Sequence, residues 1–185
     1  MNLGKAWRRL WHWLWVPGLK KRQPKGYRLN IPGALVPVLR ALTAPTMDRS
    51  ERLALLSARY ASEAADDVVV AIAVHEFPDE AYVTGTAAAN FDTNWVMGIA
   101  DSIADSNSGL LLVHRHGGAG KPSFSAVDAS TNRDVMKALS IGMETMPFGA
   151  LLLSADDYSA VCTVRGRLVP LDVNVVPMHR TREAA

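Results

Sequence analysis

Cysteine occurs once in the 185 residues, at Cys162, so no disulfide can form within the chain. A thiolate-based zinc site is excluded too, and any zinc would be held by imidazoles and carboxylates. Such sparing use of cysteine fits a reducing cytoplasm, the expected location. Long apolar runs are also missing. The early run Leu10 to Val16 falls far short of the roughly 20 residues of a spanning helix. Arg8 and Arg9 precede it, but Pro17-Gly18-Leu19-Lys20-Lys21-Arg22 is no small-residue cleavage site, so neither a membrane span nor a signal peptide is expected. Acidic residues are absent from positions 1–47, which hold nine Lys and Arg. Of the 20 basic and 18 acidic residues in the whole chain, 11 and 18 remain for 48–185, a balance of −7. The net charge of +2 therefore belongs to a basic arm on a mildly acidic domain, and no nucleic-acid partner is expected.

The arm, 1–28, places Trp7, Leu10, Trp11, Leu14 and Trp15 on one helical face. That face is expected to dock on protein rather than lipid. A domain over 29–178 and a tail over 179–185 follow. Within the domain, a helix is expected over Pro32–Ala44, and Glu51–Tyr60 fits helix or strand. Val68–Val74 has the β-branched character of a buried strand, and Ala81–Ala89 reads as extended. Trp95, Ile99 and Ile103 mark a helix, as do Val135, Leu139 and Met143 within Asn132–Met146. Leu110–Val113, Ala150–Ser154, Ala160–Val164 and Leu168–Val176 are further strands. A mixed sheet covered by helices is the expected class.

Chemistry concentrates in LLLVHRHGGAGKPSFSAVD, residues 110–128. His114 and His116, one residue apart at the exit of a strand, face the same way, so both imidazoles can reach one ion. Asp128, beyond a glycine-rich loop, can return as a third ligand. Three protein ligands leave a fourth position for water, the arrangement of a catalytic zinc. Each piece also has a plainer explanation. Ser125 and Asp128 are spaced as a helix N-cap and its third helical residue, a capping box with Asp in place of Glu. Gly117 to Lys121 is too short for a phosphate-binding loop, and Pro122 stands where that loop has Ser or Thr. His75 and Glu76, with Asp79 and Glu80, read as a solvated strand end, and Cys162 as a core residue. His12 and His179 are expected to be structural or exposed.

An H-x-H pair, a loop, S-x-x-D and an upstream Glu together resemble the JAMM (MPN or JAB) zinc metalloprotease motif, over roughly residues 30–175. The loop after His116 is one residue longer than usual, Arg115 stands where Ser or Thr is common, and Gly117 replaces a usual Pro. These departures look more like the compact bacterial members, often encoded with ubiquitin-like modifiers in antiviral defence operons. The resemblance implies an α/β fold, an MPN/JAMM-like (cytidine-deaminase-like) three-layer sandwich with a mixed curved sheet. It implies Zn2+ on His114, His116 and Asp128, Glu51 as general base, and Ser125 beside the oxyanion, with Glu63 a rival base. The implied activity is isopeptidase or peptidase cleavage after the C-terminus of a ubiquitin-like protein, with the activating or conjugating enzymes of the same system as further partners. Two alternatives stand beside it: a metal-free MPN-like interaction module, and a zinc amidohydrolase acting on a small amide.

Overall fold

The computed structural model describes residues 26–46, 51–62, 65–82, 91–128, 130–131, 135, 145–164 and 166–177. Seven strands run through them: β1 (Arg28–Pro32), β2 (Leu53–Ser62), β3 (Ala65–Glu76), β4 (Gly109–Arg115), β5 (Gly149–Leu153), β6 (Tyr158–Val164) and β7 (Arg167–Val176). Helices α1 (Leu35–Leu42) and α2 (Thr93–Ile103) accompany them.

The strands close into a barrel in the order β1-β3-β2-β4-β5-β6-β7. β1 lies parallel to both β3 and β7 and completes the circle. β4 and β5 are also parallel, and the remaining pairs are antiparallel. Alternation along the strands divides the apolar residues between two cores. Inside the barrel, every strand contributes to one cluster, with Leu29, Ile31, Ala54, Leu56, Val69, Leu111, Val113, Leu151, Leu153, Cys162 and Leu171 among its members. On the outer face, Leu53 and Leu55 of β2 and Leu110 and Leu112 of β4 pack with Phe77, Phe148 and the α2 residues Val96 and Ala100. Full burial of each such Leu contributes about 1.5–3 kcal/mol.

This overturns the expected three-layer α/β sandwich. The apolar runs LALL, LLLV and GALLL do belong to strands buried on both faces, as expected of a covered sheet. One of the two covers, however, is the opposite wall of the same barrel, not a second helical layer. The expected Pro32–Ala44 helix is shorter, because Arg28–Pro32 is a strand whose Leu29 and Ile31 point inward. Pro37 then falls in the first turn of α1, where its missing N–H costs no hydrogen bond. Glu51–Tyr60, open between helix and strand, resolves into the approach to β2 and most of that strand.

α1 packs on β1, β2 and β3 and buries Leu39 in the barrel cluster. Its Arg40 guanidinium donates to the carbonyls of Ser154 (2.9 Å) and Ala155 (3.0 Å) in the β5–β6 turn, and to the Tyr158 hydroxyl (3.2 Å). The helix thus covers the barrel end at which β4 and β5 finish. No helix of the described residues is long and apolar enough to cross a membrane. The arm 1–28, except its last three residues, lies outside the described residues, as do the tail, Glu63, nearly all of Ala81–Ala89 and most of Asn132–Met146.

Backbone approaches too closely for any side chain at two barrel glycines, Gly109 and Gly149. A methyl group at Gly149 would lie 1.9 Å from the Val161 carbonyl oxygen and 2.7 Å from Cys162 Cα. Both are main-chain atoms held by the β5–β6 ladder, so neither can step aside. Gly149→Ala should cost about 3 kcal/mol or more. The check is a urea unfolding curve. A midpoint equal to wild type would mean that the β5–β6 ladder relaxes.

Candidate metal centre

β4 builds the first half of the site. His114 is paired with Leu53 of β2 on one side and Leu152 of β5 on the other, so its backbone sits in the middle of the sheet. Its side chain shares the outer face with Leu110 and Leu112 and is 5% exposed. His116 lies two residues on, just past the strand. Its N–H still donates to the Leu153 carbonyl at 2.9 Å, which continues the parallel pairing by one bond. Period-two alternation then turns both imidazoles the same way, with ring centroids 5.0 Å apart.

Asp128 comes from the far end of the glycine loop. Residues 126–128 are helical, and Ser125 caps them. The Ser125 hydroxyl accepts from the Asp128 N–H at 3.1 Å, and Asp128 Oδ2 accepts from the Ser125 N–H at 2.6 Å. This is the reciprocal capping box that the spacing allowed. It aims the Asp128 carboxylate at the histidines rather than competing with a role as ligand.

The three groups converge. His114 Nε2 lies 3.2 Å from His116 Nε2 and 3.0 Å from Asp128 Oδ1, and His116 Nε2 lies 3.4 Å from Asp128 Oδ2. Two donors bound at about 2.0–2.1 Å around a tetrahedral zinc are separated by roughly 3.3 Å. Among the described residues, His114, His116 and Asp128 form a group whose ligand atoms all lie within 4.8 Å of one another. Two imidazole nitrogens and one carboxylate make a borderline donor set suited to zinc. His114 Nδ1, on the other side of the ring, is buried and meets no hydrogen-bond partner among the described residues.

Burial raises the Asp128 pKa, but hydrogen bonds from His114, the Ser125 N–H and the Ser125 hydroxyl outweigh it and bring the group down to about 2. The folded value lies below the ordinary 3.8, so the resulting stability is fully present above the unfolded value and lost as pH falls through about 2. Chelator-treated wild type and Asp128→Asn should therefore differ most in thermal midpoint above about pH 5, and the gap should close towards pH 2. A gap independent of pH would assign the effect of the substitution to packing.

Glu51 lies outside any helix, in the approach to β2. It is half-buried and sits two residues before β2. Leu53 pairs with His114, so continuing that antiparallel register places Glu51 opposite His116. The Leu53 N–H donates to the Tyr82 hydroxyl at 2.7 Å, which fixes the start of the strand. Ser125 is exposed, and its hydroxyl, which accepts in the cap and hydrogen-bonds the Asp128 carboxylate, would have to turn from that carboxylate to donate to a substrate. Glu76, Asp79 and Glu80 are exposed, as a solvated strand end should be. Phe77 among them is an anchor, fully buried against Tyr82, Phe91 and Trp95. His75 lies apart from the cluster, and burial lowers its pKa. Burial pushes the Cys162 thiol up to about 12, which suits a core residue and not a nucleophile. Sequence reasoning missed Ala155 and Asp156, which hold the glycine loop from the β5–β6 turn, and Ser154, which braces that turn. Their signal was a plain turn pattern, Ser-Ala-Asp-Asp, read only as the end of a strand.

No protein-family profile matches the chain, and no curated protein matches it. Among solved structures, the solution structure of protein DSY2949 from Desulfitobacterium hafniense is similar, with a TM-score of 0.51 and 11% identity, over 85% of this chain and 99% of that one. Likeness at that identity concerns the fold alone.

Proposed function

We propose that this protein is a zinc-dependent hydrolase of amide bonds, acting as an isopeptidase or peptidase at the C-terminal tail of a ubiquitin-like protein. The observation that carries the proposal is the convergence of His114, His116 and Asp128 at metal-ligand spacing. The motif resemblance adds the reaction class. It rests on the residues of the site, since the barrel is not the sandwich that the resemblance implied. Zinc held by these three groups would lower the pKa of a water from ~15.7 towards ~7 and polarise a carbonyl.

The chain's own residues supply the rest. Glu51 takes the proton from the attacking water and returns it to the leaving amine, which also receives the second water proton, so water is consumed and a carboxylate and an ammonium are released. The Ser125 hydroxyl donates to the carbonyl oxygen as it gains charge. β4 is paired on both sides, so a substrate tail cannot add to it as a strand. The tail would instead lie along the exposed loop 117–121, where Gly117, Gly118 and Gly120 leave the backbone open to approach. The activating and conjugating enzymes of such a modifier are the proposed further partners, and the cytoplasm is the proposed setting.

A ubiquitin-like protein fused through its C-terminal glycine to a reporter should be cut at that junction, and a chelator should stop the reaction. Cleavage of small amides with the fusion left intact would favour the amidohydrolase. A chain without metal that cuts neither would favour an interaction module.

A further inference from the structure

The loop between His116 and Ser125 faces a physical difficulty. It must hold Asp128 within 3.0–3.4 Å of two imidazoles, yet it runs through Gly117, Gly118 and Gly120. Gly118 and Gly120 have φ of +96° and +80°, and a Cβ on either would touch nothing within 4 Å. Nothing packs against this stretch through side chains of its own, and its unfolded freedom is large.

The β5–β6 turn supplies the missing order. The Ala155 N–H donates to the Gly118 carbonyl at 3.0 Å. The Gly120 N–H donates to Asp156 Oδ1 at 2.6 Å. Two residues after the turn's end, the Ser159 hydroxyl of β6 donates to the Pro122 carbonyl. The turn is itself braced. Ser154 is 2% exposed, and its hydroxyl oxygen accepts from the Asp157 N–H at 2.9 Å and lies 3.3 Å from Asp156 Oδ1. Arg40 of α1 ties down the Ser154 and Ala155 carbonyls from the other side. A continuous set of hydrogen bonds thus runs from the helix over the barrel end, through the turn, to the loop that carries Asp128.

We infer that Asp156 is a positioning residue for the metal centre: by holding the Gly120 N–H it fixes the glycine loop and thereby presents the Asp128 carboxylate to the ion. The inference rests on the reading of His114, His116 and Asp128 as a metal site. A charged acceptor on a backbone N–H is the stronger kind of hydrogen bond, and Asp156 sits in the short turn between β5 and β6, so the loop is tied to the sheet through that turn. Asp156 touches neither ion nor substrate. Its effect should resemble that of groups that orient metal ligands from behind, whose loss weakens metal binding about 10–100-fold.

The test is zinc titration against a competing chelator for wild type, Asp156→Ala and Asp156→Asn, with thermal midpoints of the zinc-free proteins and visible spectra of the cobalt(II) forms. Asp156→Ala should bind zinc about 10–100-fold more weakly, with a cobalt spectrum changed in the direction of Asp128→Ala. Asp156→Asn keeps an acceptor oxygen and should recover most of the affinity. It also answers for the site if Asp156→Ala does not fold. Zinc affinity and cobalt spectrum unchanged in both variants would reduce Asp156 to an ordinary turn residue while leaving the metal centre standing. A wild-type chain that binds no zinc would overturn the metal centre, and this inference with it.

Discussion

His114→Ala should abolish zinc binding and hydrolysis together. The imidazole is one of the three proposed ligands and the most buried of them, and the remaining pair, His116 and Asp128, would hold an ion poorly. The loss should exceed the about 10–100-fold typical of changes behind the ligands. His114→Gln, closer in volume, separates the chemical loss from the cavity left on the outer face of β4. Elemental analysis after gel filtration gives the metal content, and circular dichroism confirms that the barrel is intact. Stoichiometric zinc in a folded His114→Ala protein would remove this residue from the site.

Glu51→Gln should part the two properties. Glu51 stands outside the converging group, so the variant should keep its zinc. Without a group to carry the proton between water and leaving amine, turnover should fall about 10²–10⁴-fold. The size of the effect comes from chemistry, since amide and carboxylate are near-equal in shape and the approach to β2 is fixed by the Leu53–Tyr82 hydrogen bond. Turnover close to wild type would move the role to another carboxylate, with Glu63 the first to replace.

The site was far more legible in the sequence than the fold that carries it. H-x-H at a strand end needs only period-two geometry, which is local, and β4 delivers His114 and His116 as that geometry requires. S-x-x-D carried two meanings, cap and ligand, and one carboxylate serves the first while being placed for the second. Barrel closure is a different matter. It depends on Arg28–Pro32 pairing with Asp172–Val176, segments at opposite ends of the domain, and no local pattern announces a partner that distant. Five residues beside a basic linker carry too few alternations to stand out as a strand. Glu51 shows the same limit. Its order in the chain said only that it lies upstream, and it is the pairing of Leu53 with His114 that, continued by two residues, places it opposite His116. The hold of Asp156 on Gly120 joins two turns whose sequences each satisfy their own local rules, so neither hints at the other.

Zinc K-edge X-ray absorption on the purified wild-type chain reads the proposed metal centre itself. One zinc per chain is expected, with four nitrogen or oxygen neighbours at about 2.0–2.1 Å, imidazole scattering from two histidines and no sulfur shell. A chain that retains no zinc after equilibration, or a spectrum with no imidazole contribution, would contradict it.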